Sequence, residues 1–302
     1  MEWEVRLIEW MQGSFGDLSR TAGKIFAFIG GEAGLLIMML IVMFCWKKEV
    51  GKRLALILAA ENAYLSMIKT VVMRPRPYME HPDRVEALVP VKSGADVKDV
   101  AAQGYSFPSM HSASVTAAYM SLAYKAKKRW VWILAVCLTF LVGVSRPAVG
   151  AHYPTDVLAG WALGFAVIGI FSLLDRFVKK EWICHLILLA MALPGVFFVR
   201  TQDYFASLGL LIGVIAAIPF EEKYVGFKDT GNVFAMILRV IGAVVIFLLM
   251  NTLLKMPFNS EFLASARPDA LLIRTARYAV MVFVVMGVYP KVFPLFEKIK
   301  KS

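Results

Sequence analysis

Residues 130–175 read WVWILAVCLTFLVGVSRPAVGAHYPTDVLAGWALGFAVIGIFSLLD, two apolar runs joined by a short link that holds Arg146, His152 and Asp156. Each run approaches the ~20 apolar residues with which an α-helix crosses a bilayer. Because the link is short, the two helices must lie side by side and antiparallel. This stretch therefore predicts a membrane-embedded helical hairpin with ionisable side chains at one end.

The composition of the whole chain agrees with such a hairpin. Residues of the set AVILMFWYC make up 59% of the 302 residues, and charged residues only 18%, against ~25% in typical soluble domains. A chain this apolar is neither a water-soluble globule nor a disordered protein, which needs low hydrophobicity and high charge. The sequence predicts an all-α, polytopic membrane protein that binds no nucleic acid despite its formal charge of +11.

About nine apolar runs are candidates for spanning helices. They cover residues 23–46, 54–73, 109–124, 130–145, 155–175, 182–199, 204–220, 233–254 and 270–293. Ahead of them, Trp3, Leu7, Trp10 and Met11 recur at helical spacing. Their spacing predicts an amphipathic helix that lies in the membrane interface.

Basic clusters predict the orientation of these helices, because short loops rich in Lys and Arg stay in the cytoplasm. The clusters alternate along the chain and lie in residues 47–53, 125–129, 176–180 and 223–228, and at Lys298, Lys300 and Lys301. We therefore expect a multi-pass protein of the cell membrane, with its N-terminus outside and its C-terminus in the cytoplasm. The extracytoplasmic connections are then 74–108, 146–154, 200–203 and 255–269.

Three cations on that outer side have no obvious carboxylate partner nearby in sequence. Lys69, Arg76 and Arg146 fall near the ends of predicted spans, where clustering them would be costly without a bound anion. A phosphate group fits, because arginine presents a planar fork of donors and lysine a compact charge. Ser109 occupies a helix N-cap position, so the first amides of that helix, including the amide of Met110, would face the same anion.

His152 and Asp156 are four residues apart, about one turn of a helix. The carboxylate of Asp156 could hold one imidazole nitrogen of His152 and leave the other as a nucleophile or a base. His111 could then give a proton to a leaving oxygen. Metal-assisted phosphoryl chemistry needs several carboxylates, and these strings offer one, so metal-independent chemistry through a histidine is favoured.

The residues and their order resemble the three signature motifs of the type 2 phosphatidic acid phosphatase superfamily. The motifs read Lys69–x6–Arg76–Pro77, then Pro108–Ser109–x–His111, then Ser145–Arg146–x5–His152–x3–Asp156. Many members have glycine where this chain has Met110, a position that would contribute its backbone amide. The resemblance covers roughly residues 54–175 and says less about residues 200–302.

This resemblance implies a role for each residue. His152 would be the nucleophile that forms a phosphohistidine, Asp156 would orient it, and His111 would protonate the leaving group. Water would then hydrolyse the phosphohistidine, with neither a metal nor a cofactor. The groups implied to hold the phosphate oxygens are Lys69, Arg76, Ser109, the backbone amide of Met110, and Arg146.

We accordingly expect a phosphatase that acts on a lipid phosphate or pyrophosphate, such as phosphatidic acid or undecaprenyl pyrophosphate, at the outer membrane face. Its parts would be an interfacial segment over residues 1–22, a six-helix phosphatase core over 23–200 and a three-helix extension over 201–302. A lipid phosphotransferase that uses the same phosphohistidine stays open. A transporter of anionic lipid or phosphate would leave the histidine motifs unexplained, and no internal repeat supports it.

Polar residues outside the motifs are interpreted more simply. Arg74 could touch the substrate or anchor the chain at the interface. Arg239, Arg274 and Arg277 lie near the ends of predicted spans and are expected to extend toward lipid headgroups. The stretch 78–107 is long enough to be a lid over the site, with a variable insertion as the alternative.

Overall fold

The computed structural model of the protein describes residues 2–298, and every regular element in that range is helical. Short π-helical segments lie at Val42–Trp46, Thr116–Met120 and Val284–Val288, and a 3₁₀ turn at Tyr289–Val292. The predicted all-α class is confirmed. The α-helices are α1 (Glu2–Gly30), α2 (Glu32–Ile41), α3 (Lys48–Val72), α4 (Pro77–Glu80), α5 (Val100–Gln103), α6 (Met110–Val115), α7 (Ser121–Ala126), α8 (Arg129–Ala148), α9 (Pro154–Phe177), α10 (Glu181–Ala192), α11 (Gly195–Phe198), α12 (Gln202–Tyr224), α13 (Val233–Leu253), α14 (Ser260–Ala264), α15 (Pro268–Phe283) and α16 (Phe293–Lys298).

Between residues 2 and 298, seven helices are long and apolar enough to cross a membrane, and the bent pair formed by Glu2–Gly30 and Glu32–Trp46 would make eight. The predicted third span, 109–124, corresponds to the helical run through α6 and α7, which is too short to count among them. A multi-pass membrane protein is therefore confirmed. The orientation of its termini stays a prediction, and Lys300 and Lys301, which contributed to it, lie outside the described residues.

The N-terminal segment and the first predicted span begin as a single helix. α1 passes through residue 22 without interruption, bends at Phe15 and ends at Gly30. The chain bends by 48° between α1 and α2, where Gly30 and Gly31 stand next to each other and weaken the helix. The face predicted to meet the membrane is open, since Trp3 and Trp10 are 51% and 59% exposed.

The helices form two compact units, one of residues 1–35 with 65–174 and one of residues 36–64 with 175–302. Every predicted site residue falls in the first unit. These units follow spatial contacts, so the predicted division into residues 1–22, 23–200 and 201–302 stays a prediction. In the first unit, a stripe of small residues on α9 lets α6 approach closely. A Cβ atom at Gly160 would lie 2.6 Å from the Ser109 carbonyl oxygen.

Two buried cations of the second unit are paired with carboxylates. Lys52 Nζ lies 2.7 Å from Glu221 Oε2, and both side chains are almost fully buried. Arg239 is 3% exposed and places Nη2 2.9 Å from Glu297 Oε1. The expectation that Arg239 extends toward lipid headgroups is therefore wrong, because a carboxylate inside the unit compensates its charge.

Candidate active site

Two cations of the first motif are fixed where α3 ends. Arg76 is 4% exposed and donates to the carbonyl oxygens of Gly104 (3.0 Å) and Ala151 (2.8 Å). Lys69 Nζ donates to the carbonyl oxygen of Tyr105 at 2.7 Å. Because a carbonyl group carries no net charge, these bonds position the two side chains but do not neutralise their positive charge.

Arg146, in the last turn of α8, is 3% exposed. Its Nη2 atom donates to the Gly23 carbonyl oxygen (3.0 Å) and to the hydroxyl of Ser145 (2.9 Å). Among the described residues, no carboxylate forms an ion pair with it. Leaving a buried cation without an opposite charge costs several kcal/mol, so the site around Arg146 is built for an anion.

Ser109 caps the helical run that carries His111. Its backbone is extended, and its hydroxyl oxygen accepts from the Ser112 amide (3.4 Å) and hydroxyl (2.9 Å), which confirms the predicted N-cap position. The Ser109 amide donates to the Asp156 carbonyl oxygen at 3.0 Å. The start of α6, with the Met110 amide in its first turn, is thereby tied to the start of α9.

His111 lies beside the break between α1 and α2. A Cβ atom at Gly31 would lie 3.6 Å from His111 Nε2, which is van der Waals distance, so the ring packs directly against this break. Burial, together with the nearby charges of Arg146, Arg76 and Lys69, lowers the pKa of His111 well below its ordinary value. The structure therefore brings residues of all three motifs into one site.

His152 faces this site with one ring nitrogen. Its Nε2 atom lies 3.2 Å from Arg76 Nη1, and a guanidinium can only donate, so Nε2 accepts and the proton is on Nδ1. Nδ1 lies 3.7 Å from Asp156 Oδ2, longer than a hydrogen bond, and has no hydrogen-bond partner among the described residues. Asp156 is close enough to orient the ring, but the predicted bond is not formed in this structure.

The carboxylate of Asp156 is engaged elsewhere. Its Oδ2 atom accepts from the Tyr153 amide at 2.8 Å, and its Oδ1 atom accepts from Arg74 Nη1 at 2.7 Å. Arg74 also stacks over the Tyr153 ring, 3.8 Å from the ring centroid. Arg74 is therefore paired inside the protein and is not an interfacial anchor, because its guanidinium binds the residue that should orient the nucleophile. Its contact with substrate stays a prediction.

The other end of the Arg74 guanidinium binds Glu4, a residue that the sequence interpretation missed. Glu4 is fully buried; its Oε2 atom accepts from Arg74 Nη2 at 2.8 Å and its Oε1 atom from the Thr155 hydroxyl at 2.6 Å. One signal could have revealed it. Glu4, Ile8 and Gln12 recur every fourth residue on a face of α1 away from Trp3, and this mixed face, with two polar residues beside an apolar one, points inward.

The stretch 78–107 is packed against α1. Gln12 binds the backbone of Glu86 through both its amide oxygen and its amide nitrogen, and Arg84 pairs with Glu9 at 2.7 Å. Apolar side chains complete the contact in one cluster, formed by Val5, Ile8, Tyr78, Val85, Leu88, Val149, Ala151 and Tyr153. A lid role for this stretch stays a prediction, and its contacts fasten α1 over the site.

Burial and the neighbouring charges of Arg76 and Lys69 lower the pKa of His152 from its ordinary 6.5 to about 3, although Asp156 acts in the opposite direction. A lowered pKa keeps the imidazole neutral as the pH falls. We expect ¹⁵N NMR of histidine-labelled protein, assigned with His152→Gln, to show a neutral ring protonated on Nδ1 from pH 8 down to pH 5. A titration midpoint between pH 6 and 7 would contradict this environment.

Two family models match the chain. One described as the PAP2 superfamily covers residues 50–180, and one described as a PAP2 superfamily phosphatase, transmembrane extension, covers residues 205–301. The first contains all three motifs, and the second begins within α12. No solved structure shows significant similarity to the chain.

Curated relatives match over part of their length. The chain is 45% identical to undecaprenyl-diphosphatase of Sulfolobus acidocaldarius over 60 residues (20% of this chain, 29% of the relative). It is 34% identical to phosphatidylglycerophosphatase B of Bacillus subtilis over 85 residues (25% and 42%). It is 31% identical to lipid A 1-phosphatase of Rhizobium etli over 166 residues (51% and 62%). The chain thus spans less than two thirds of each of these relatives. With motifs, site geometry and both family models in agreement, the chain belongs to the PAP2 superfamily.

Proposed function

We propose that this protein is a membrane-integral phosphatase that hydrolyses a lipid phosphate or pyrophosphate through a phosphohistidine. The observation that carries the proposal is the position of His152 Nε2, an acceptor nitrogen 3.2 Å from the guanidinium of Arg76 in a site lined with cations. A phosphate held by those cations would present its phosphorus atom to the lone pair of Nε2.

The reaction has two steps, phosphoryl transfer to His152 and hydrolysis of the phosphohistidine. Substrate oxygens replace His152 Nε2 as the acceptor of the Arg76 bond, and the freed lone pair attacks phosphorus. The negative charge of the bound phosphate favours the protonated form of His111, whose pKa the cations alone would lower. The bond from phosphorus to the leaving oxygen breaks as His111 donates its proton to that oxygen. In the second step His111 takes a proton from water, the water oxygen attacks the phosphohistidine, and inorganic phosphate leaves His152.

Asp156 acts on the charge that develops on the imidazole. When Nε2 bonds to phosphorus, the ring becomes cationic and its Nδ1 proton becomes a stronger donor. The 3.7 Å separation from Asp156 Oδ2 then needs to shorten by less than 1 Å to reach hydrogen-bond distance. Catalytic hydrogen bonds are often long before substrate binds, and this one would stabilise the intermediate rather than the free enzyme.

A lipid substrate is favoured by the location of the motifs and by the relatives. The first and third motifs lie where candidate spanning helices begin or end, the level at which a lipid headgroup would sit. The second motif joins them there, because the Ser109 amide bonds to the Asp156 carbonyl oxygen. The relatives' names refer to undecaprenyl diphosphate, phosphatidylglycerophosphate and lipid A as substrates. Together with the charge asymmetry of the loops, this supports a site that opens to the extracytoplasmic leaflet.

Phosphate release by the purified protein tests this function. The panel is phosphatidic acid, phosphatidylglycerol phosphate, undecaprenyl pyrophosphate, sphingosine phosphate and glucose 6-phosphate, each with and without a chelator. We expect release from at least one lipid and less than a twofold effect of the chelator. Failure with every lipid, or loss of activity on chelation, would contradict the proposal. Preferential formation of a phosphorylated alcohol over free phosphate would show a phosphotransferase instead.

A further inference from the structure

Arg277 on α15 is a buried cation of the second unit. The residue is 4% exposed, and its Nη2 atom donates to the amide oxygen of Asn251 at 3.3 Å. Its Nε atom is buried without a hydrogen-bond partner in the part of the chain that the structure describes. In this structure the Arg277 side chain is therefore enclosed by the unit, and its expected contact with lipid headgroups stays a prediction.

The other buried cations of this unit show what Arg277 lacks. Lys52 is 4% exposed and pairs with Glu221, and Arg239 is 3% exposed and pairs with Glu297. Arg277 is buried to the same extent, yet within residues 2–298 it forms no ion pair with a carboxylate. An arginine in an apolar span is costly unless an anion or polar groups compensate it, and one amide oxygen does so only in part.

A second arginine stands one turn earlier on the same helix face. Arg274 donates to the Leu263 carbonyl oxygen at 2.7 Å and, among the described residues, likewise forms no ion pair. The acidic residue at the start of this helix, Asp269, is already paired with Arg267 at 2.8 Å on the surface. Two like charges one turn apart repel each other, and an anion between them would relieve a cost that no carboxylate among residues 2–298 removes.

The position of these groups matches a lipid headgroup. Asn251 lies in the last turn of α13, and Arg277 reaches toward it from within α15. At ~1.5 Å per residue, the backbone of Arg277 lies roughly 14 Å along α15 from the first residue of the helix. A long arginine side chain that points toward the membrane interface spans part of this distance. The connection between the two helices is one that loop charge predicts to be extracytoplasmic.

We propose that Arg277, with Arg274 and Asn251, binds a phosphate group of an anionic phospholipid in the transmembrane extension. The free Nε of Arg277 supplies a directed donor to one phosphate oxygen, Arg274 supplies a second charge, and Asn251 holds the guanidinium in place. The site lies in the unit that carries none of the predicted catalytic residues. It is independent of the proposed phosphatase activity.

Thermal unfolding of the full-length protein in neutral detergent tests the site. Phosphatidylglycerol should raise the unfolding temperature by about 5 °C, with one tightly retained lipid visible by native mass spectrometry, whereas phosphatidylcholine should do neither. Arg277→Leu should remove both effects and, in neutral detergent alone, should be at least as stable as the wild type because the uncompensated charge is gone. Inorganic phosphate forms a separate arm; if it reproduces the rise, the phosphate group comes from solution rather than from a lipid.

Two controls separate this site from other charges. Arg267→Leu removes the cation immediately before the same helix, which is exposed and already paired, and it should keep the response. Arg146→Gln removes a cation of the catalytic site and should also keep it. The proposal is overturned if phosphatidylglycerol stabilises the wild type no more than phosphatidylcholine. It is equally overturned if Arg277→Leu, or Arg277→Gln should the leucine variant fail to fold, retains the lipid and the rise.

Discussion

Replacing His152 with alanine is expected to lower phosphate release by about 10⁴-fold or more, because a removed nucleophile leaves only binding and electrostatic stabilisation. The ring is buried, and its one short polar contact within residues 2–298 is with Arg76, so its loss should leave the helices in place. Initial rates of phosphate release and thermal unfolding of the same samples measure the two effects separately.

A trapped intermediate makes this result specific to a nucleophile. Wild-type protein quenched in alkali during turnover should carry an acid-labile phosphoryl group, and the alanine variant should carry none. His185→Ala is the matched control, since it removes a half-buried histidine of the second unit and should keep both turnover and label. Sustained turnover in His152→Ala would rule out the phosphohistidine, whatever the substrate proves to be.

Local spacing in the sequence was sufficient to predict much of this site. The N-cap at Ser109 and the proximity of His152 to Asp156 depend on residues within one helical turn of each other, so the helix fixes their relation. The burial of Arg146 without a carboxylate also follows from an apolar run that ends in a cation. The length and hydropathy of the apolar runs likewise predicted most of the spans, because these two properties decide what can cross a bilayer; nine were predicted, and residues 2–298 contain seven, or eight with the bent pair.

Contacts between distant segments could not be read from spacing. Glu4 and Thr155 are separated by 151 positions, yet their side chains are 2.6 Å apart. Nothing near Glu4 indicates that Arg74 will neutralise it. The same holds for Arg239 and Glu297, whose pairing depends on how α13 packs against α16. A charged residue in an apolar segment indicates that a partner for it exists, but only the three-dimensional fold shows which residue that partner is.

Removing Arg74 should be the most damaging change outside the motif residues. Its guanidinium is the shared counter-charge of two fully buried carboxylates, Glu4 and Asp156. In Arg74→Met both carboxylates would lose this positive charge, and Asp156 would shift from its position beside His152. Misplacing a catalytic group by about 1 Å costs ~10²-fold in rate, so we expect a loss of that order in kcat together with a lower unfolding temperature.

Glu4→Gln separates positioning from stability. The glutamine amide keeps an oxygen that accepts from Thr155 but carries no negative charge for Arg74. Arg74 then pairs with Asp156 alone, and this pairing weakens the attraction of the Asp156 carboxylate for the charged imidazole of His152. A lost hydrogen bond to a charged group is worth about 1.5–3 kcal/mol, which predicts a fall of roughly tenfold or more in kcat. The KM should stay within about twofold, because the cations that bind phosphate are unchanged; a rise in KM with unchanged kcat would contradict a positioning role.

Glu9→Gln provides the matched control, because it makes the same substitution on the same helix and breaks a partly exposed ion pair with Arg84. Surface pairs contribute little, so kcat should be unaffected. Combining Glu4→Gln with Arg74→Met should restore part of the unfolding temperature lost in Arg74→Met alone, since one fewer carboxylate is then buried without a counter-charge. If the two losses simply add, Glu4 and Arg74 act independently, and α1 covers the site without positioning Asp156.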